Sequence, residues 1–178
     1  MPSAKSSTAA SILRGGERVT IRLAGPEDAE MLQAYVRELS MSARYNRFFG
    51  PLRELPPAEL ARATQPNRSS GATLIAQISS IKPAMIGELR YAVFADAACE
   101  LAISVADEWR REGLGSLLLG DLLCHVRALG VANLVGDVLV SNETTLAFAR
   151  SAGFSIAARS SDPRAVRVVK DIRTPQAA

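Results

Sequence analysis

The stretch Arg110-Arg111-Glu112-Gly113-Leu114-Gly115-Ser116 gathers residue types that can hold an anion. Glycines at 113 and 115 permit backbone conformations and close approaches that a side chain would block. If a helix starts at that point, the amides of its first turn have no helical partner and converge with the positive end of the dipole. Arg110 and Arg111 add positive charge at the rim, and a diphosphate would satisfy the whole set. Two spaced glycines also suit an ordinary tight turn, so the window by itself serves either reading. It is not a P-loop, which needs Gly-Lys-Ser/Thr, and it lacks the third glycine of the dinucleotide fingerprint. A second candidate, Cys124 beside the single histidine His125, is weaker. Adjacent residues on a helix diverge by about 100°, so thiol and imidazole would not share one site. With Cys99 the only other cysteine, neither a disulfide framework nor metal-ligand spacing is present, and no metal site is expected.

The elements around the window follow from periodicity. Alternation predicts a strand over residues 19–23 and a helix opening at Gly25-Pro26-Glu27-Asp28, with its apolar stripe on Ala29, Leu32, Val36 and Leu39. A helix is predicted over 57–64, paired strands over 73–78 and 85–94, and a strand over 100–105. Leu114, Leu117, Leu118, Leu122, Val126 and Leu129 recur at helical spacing up to Gly130. A strand over 134–140, a short helix over 143–151 and strands over 153–157 and 166–172 complete the order. Residues 1–16, rich in Ser and Ala with Lys5 and Arg14, are expected to form a flexible tail rather than a secretory signal.

Composition sets the outer bounds. At 178 residues the chain is expected to form one domain, and 48% hydrophobic with 22% charged residues is globular rather than disordered. The net charge of +3 comes with no dense basic stripe, so no nucleic-acid partner is expected. No run approaches about 18 apolar residues, so no membrane span is expected, and a cytoplasmic location is the expectation.

Downstream, Ser141-Asn142-Glu143 opens the short helix that ends at Gly153-Phe154. Arg110-x-x-Gly113-x-Gly115 after a strand, followed by this Asn helix and Gly-Phe turn, resembles the GNAT superfamily of acyl-CoA N-acyltransferases over roughly residues 18–172. The resemblance implies a single GNAT-like domain over 17–174, of α/β (mixed α+β) class. Its core would be a central mixed, mostly antiparallel sheet flanked by helices. It implies acetyl-CoA as co-substrate. The main chain of Ile103, Ser104 and Val105 would run beside the pantetheine arm, and Asn142 would contact that region. The amides of Arg111, Glu112, Gly113, Leu114, Gly115 and Ser116 would hold the pyrophosphate, with Arg110 at its edge.

Three segments are most similar to bacterial protein-lysine acetyltransferases that modify acyl-CoA synthetases: Leu39 to Phe49 with Tyr45-Asn46-Arg47-Phe48-Phe49, Cys99-Glu100 to Val105, and Gly136 to Leu139. That likeness implies a protein lysine acceptor, with an acyl-CoA synthetase as a candidate partner, and Glu100 as general base. The chemistry wants such a group. A lysine ammonium, with pKa about 10.4, must lose a proton before its nitrogen attacks a thioester. Alternation places Glu100, Ala102 and Ser104 on one face of the strand. The competing reading makes Glu100 a structural acid paired with an arginine.

Glu88 and Asp137 are secondary candidates for the cleft, Asp107 and Glu108 are expected in solvent, and Trp109 is expected to pack under the turn. Tyr45, Arg47, Phe48 and Phe49 are expected on the acceptor side, with the phenylalanines in the core and Arg47 either meeting an acidic partner or solvated. The family's thiolate-protonating tyrosine falls at Ala149 here, which leaves no general acid to name. No cysteine stands where an acyl-enzyme would need one. The expected function is acetyl-CoA-dependent N-acetylation by direct transfer. The alternatives are a small-molecule amine acetyltransferase and a catalytically silent acyl-CoA-binding module.

Overall fold

The computed structural model describes residues 9–67, 70–79, 83–95 and 97–173. Eight strands form one sheet in the order β1-β2-β3-β4-β5-β6-β8-β7. These are β1 (Ala9–Ile12), β2 (Arg18–Leu23), β3 (Gly71–Ile78), β4 (Ala84–Val93), β5 (Ala98–Val105), β6 (Asn133–Leu139), β7 (Ser155–Arg159) and β8 (Ala165–Asp171). Every neighbouring pair is antiparallel except β5 with β6, so the sheet is mixed and mostly antiparallel as expected.

Helices α1 (Ala29–Glu38), α2 (Met41–Phe48) and α3 (Pro57–Ala63) cover one face. Their Leu32, Tyr35, Val36, Ala43 and Ala63 pack with Ile75 and Met85 of the sheet. Helices α4 (Leu114–Arg127) and α5 (Glu143–Ser151) belong to the other face, where Leu114, Leu118, Leu122 and Val126 meet Leu74, Leu89 and Leu134. Each leucine so enclosed contributes about 1.5–3 kcal/mol of apolar burial, so both layers are anchored on the strands between them. No helix among the described residues is long and apolar enough to cross a membrane.

Two elements differ from the sequence expectation. The tail assigned to residues 1–16 is structured from Ala9 onward, while residues 1–8 lie outside the described residues. Ala9–Ile12 pairs with β2 and Leu13 is buried in the core. Main-chain hydrogen bonds to an available sheet edge hold a strand whose Ala and Ser side chains advertise nothing. The aromatic and basic stretch after α1 is a helix, α2, capped by Ser40, whose Oγ accepts from the Ala43 amide at 3.2 Å.

Candidate active site

Strands β5 and β6 pair only over Ala98–Asn133, Cys99–Leu134 and Glu100–Val135. Both run on, β5 to Val105 and β6 to Leu139, without meeting again. A cleft of about 680 Å³ opens along this divergence, walled by Ile103, Ser104 and Val105 on one side and by Gly136, Asp137 and Val138 on the other. Strands that part leave main-chain donors and acceptors on their inner edges for something other than the sheet.

At one end of the cleft lies the glycine window. Arg111 (φ 67°) and Gly113 (φ 91°) are both left-handed, and Gly113 caps α4. Gly115 sits in tight quarters instead, since a Cβ there would lie 3.2 Å from the Phe148 ring of α5. The Ser116 and Leu117 amides close the first turn onto the Gly113 carbonyl at 3.1 and 3.2 Å. Of the amides expected to hold an anion, those of Arg111, Glu112, Gly113, Leu114 and Gly115 therefore have no acceptor among the described residues, whereas that of Ser116 does. Arg110 and Arg111 line the cleft, Arg110 held by Asp107 at 3.0 Å.

The Glu112 side chain, for which nothing was expected, is not among the cleft-lining residues and accepts from the Gly15 amide at 2.7 Å. The Arg14 amide adds a bond to the Glu112 carbonyl, and Arg14 Nη1 one to the Arg111 carbonyl at 3.3 Å. The β1–β2 turn thus staples the loop that precedes α4, and Arg14 itself reaches the cleft. Sequence reading missed this, and only a basic residue just before a Gly-Gly turn signalled it. On the far wall, Asn142 caps α5 by accepting from the Thr145 amide at 3.2 Å, and it lines the cleft beside Ser141 and Thr144. Ala149 lies in the same wall.

Glu100 opens into an adjoining groove between β4, β5 and α2 rather than into the cleft. Cleft and groove share Arg47, Phe49, Leu101, Ala102 and Asp137 as walls, so Glu100 stands one strand position from their junction. Its carboxylate makes no hydrogen bond and no direct salt bridge among the described residues, while the Arg167 guanidinium lies near enough to feel its charge. Asp137 has the partner instead, with both oxygens on Arg167 at 3.0 Å. Hydrogen bonding from Arg167 holds Asp137 below the usual carboxylate range.

Glu88, expected as a cleft acid, is 0% exposed. Arg47 and Arg90 flank it at 3.1 and 2.8 Å. Burial raises its pKa, but the two guanidiniums outweigh burial and the net direction is down. Arg47, expected to be solvated or facing a partner, is instead buried in this cluster under the Phe48 ring, its Cζ 4.9 Å from the centroid. Tyr35 reaches Ser104 Oγ at 3.0 Å, and burial, aided by Glu88, pushes its phenol upward. Arg164, from the β7–β8 turn, donates to Tyr45 Oη at 2.6 Å and to the Phe49 carbonyl at 3.1 Å, tying that turn to α2.

A parted parallel strand pair, a helix N-terminus with open amides beneath it and an Asn-capped helix opposite form a cleft that fits an extended ligand ending in an anion. The chain belongs to the acetyltransferase (GNAT) family, whose model matches residues 38–154. It is similar to the GNAT domain of S. lividans PAT, at 26% identity with a TM-score of 0.84, covering 93% of this chain and 97% of that one. An acetyltransferase of Pseudomonas aeruginosa is 28% identical over 120 residues, which span 66% of this chain and 64% of that relative's length. The fold also matches RimL, a ribosomal alpha-N-protein acetyltransferase solved with coenzyme A, at 16% identity and a TM-score of 0.70, over 86% of this chain and 94% of that one.

Proposed function

We propose that this protein is an acetyl-CoA-dependent N-acetyltransferase that passes the acetyl group directly to an amine, with a protein lysine as acceptor. The observation that carries the reading is the Glu100 carboxylate, in no hydrogen bond or direct salt bridge among the described residues, beside the junction of cleft and groove. The open amides of Arg111 to Gly115 fit a pyrophosphate, and Arg14, Arg110 and Arg111 offset its charge. The inner edge of β5 from Ile103 to Val105 fits an extended pantetheine arm, with the free amide nitrogen of Asn142 across from it. The bound acetyl-CoA supplies an activated thioester.

Glu100 takes the proton of the incoming ammonium, directly or through one water, and this frees the nitrogen lone pair for attack. The groove walls at Ala102 and Phe49 hold the amine at the mouth of the cleft. Ala149 offers no proton, so solvent protonates the departing thiolate, a tolerable leaving group with pKa near 8.5. A protein acceptor is supported by the likeness to S. lividans PAT at high coverage, and an acyl-CoA synthetase is the candidate partner within that reading. The test is labelled acetyl-CoA given to a cell extract separated into macromolecular and small-molecule fractions. Label on discrete proteins supports the proposal. Label confined to small molecules overturns the lysine acceptor, and label nowhere despite acetyl-CoA binding points to a silent module.

A further inference from the structure

On the face that carries α1 and α2, the β4–β5 ladder sets Glu88, Arg90 and Ala92 opposite Ser104, Ala102 and Glu100. Helix α2 adds Arg47 from above. The Glu88 side chain is 0% exposed, Arg47 9% and Arg90 19%. One carboxylate between two guanidiniums leaves an excess positive charge under cover, and such a charge is costly without an anion beside it. The deficit is visible atom by atom. Arg47 and Arg90 each spend Nε on Glu88, while Nη2 of each is enclosed without a hydrogen-bond partner among the described residues.

The Phe48 ring lies against both guanidiniums, at 4.9 and 5.9 Å, and offsets part of the charge without accepting a hydrogen bond in the plane of either fork. The neighbouring acids do not complete the set. Asp137 is committed to Arg167, and neither Glu100 nor Glu59, which line the same groove, forms an ion pair with either arginine.

Both arginines line the groove into which Glu100 opens, and Arg47 also lines the cleft. Arg90 is diagonal to Glu100 across the ladder, at a backbone separation of about 7–8 Å. An anion held at the arginines would therefore sit a short reach from an amine held at Glu100. What stays exposed of the two side chains, 9% of Arg47 and 19% of Arg90, lines that groove, and a planar guanidinium matches a carboxylate best. We propose that Arg47 and Arg90 form a carboxylate-recognition subsite, so that the preferred acceptor carries a carboxylate close to the amine it offers. The subsite rests on the acetyltransferase reading above and sharpens its substrate class. That carboxylate comes either from an acidic residue flanking a target lysine or from the α-carboxylate of an amino acid.

The experiment uses the full chain, acetyl-CoA and two lysine peptides that differ at one neighbouring position, Glu in one and Gln in the other. Free lysine and its decarboxylated analogue, cadaverine, form a second pair. The expected result is a preference of at least about tenfold in kcat/KM, carried by KM, for the carboxylate-bearing member of one pair. A preference within the peptides assigns the carboxylate to a protein, and one confined to lysine over cadaverine assigns it to an amino acid. In Arg90→Gln the ratio should fall to within about twofold. Arg90→Lys, which keeps a cation beside Glu88 and so protects the fold, should also lose most of it, because the fork is gone.

Equal kcat/KM within both pairs, or a preference that survives both variants, overturns the subsite. If no peptide or amine is acetylated, the acceptor reading fails separately. Binding of the same two peptides to the protein loaded with CoA then decides the subsite by the same ratio.

Discussion

Replacing Glu88 with Gln should be among the most damaging single changes in the protein, and its size can be worked from the geometry. The carboxylate is fully buried and takes one guanidinium on each oxygen, at 3.1 and 2.8 Å. The amide keeps the shape and one acceptor oxygen, but among the described residues it removes the only negative charge in direct contact with Arg47 and Arg90. Breaking a buried ion pair by deleting one partner typically costs about 3–5 kcal/mol, because the surviving charge stays desolvated. The remaining carbonyl acceptor puts the expected loss near the lower end, about 3 kcal/mol.

Against a total of about 5–15 kcal/mol, that is a large share of the stability. With a urea dependence of about 2 kcal/mol per molar, the unfolding midpoint should fall by about 1.5 M. Adding Arg47→Met to the variant should restore part of the loss, since it removes the stranded charge and leaves an apolar stem under Phe48. In the parent, Glu88 has its pKa lowered by folding. Its contribution is therefore present above the unfolded carboxylate value of about 4.3 and is lost as pH falls through the lower folded value. The exposed Asp171, paired with Arg173, is the control, and Asp171→Asn should not move the midpoint measurably. A fall below about 0.3 M for Glu88→Gln, or no rescue by Arg47→Met, would refute the electrostatic reasoning.

Other expectations concern the loop before α4 and the Arg22–Asp28 pair. Gly113→Ala meets no atom within 4 Å, so its defect is conformational; holding φ near 91° costs about 1–2 kcal/mol, and acetyl-CoA affinity by calorimetry should fall about tenfold while the protein stays folded. Glu112→Gln weakens the staple from the Gly15 amide, so the loop should exchange amide hydrogens faster and bind acetyl-CoA more weakly; unchanged exchange would show the β1–β2 turn to be incidental. Asp28→Asn breaks a two-pronged pair with Arg22 at 2.7 Å on both oxygens, and should lose about 1–3 kcal/mol in urea unfolding at neutral pH. Because burial is outweighed by Arg22 and the Gly25 amide, Asp28 is lowered, so that loss should shrink as pH falls through its folded value.

The parts of the site that were legible in the sequence are those built from contiguous residues. Arg110 to Gly115 announces a helix start by its glycines, and Glu100, Ala102 and Ser104 share a face by simple alternation, as their partners Ala92, Arg90 and Glu88 confirm. What was hidden depends on contacts far apart in the chain. Glu88 and Arg47 lie 41 residues apart, and a charged residue in a strand pattern reads equally as solvated or as cleft-facing until its partner is placed. Strand β1 was hidden for another reason. Its Ala-Ala-Ser-Ile run has no alternating apolar signal, and main-chain pairing to β2 supplies what its side chains do not. The α2 cap at Ser40 was a readable signal overshadowed by the aromatic and basic residues that follow it.

The most direct test of the central claim compares acetyl transfer by the parent and by Glu100→Gln at saturating acetyl-CoA, with acetyl-CoA affinity measured alongside. General-base removal typically costs about 10²–10⁴ in rate. The account predicts a loss in that range with affinity unchanged within about threefold, because Glu100 lines the groove and not the cleft proposed for the cofactor. A variant that keeps more than about a tenth of the parental rate would contradict Glu100 as the base, and a parent that transfers no acetyl group at all would contradict the enzyme.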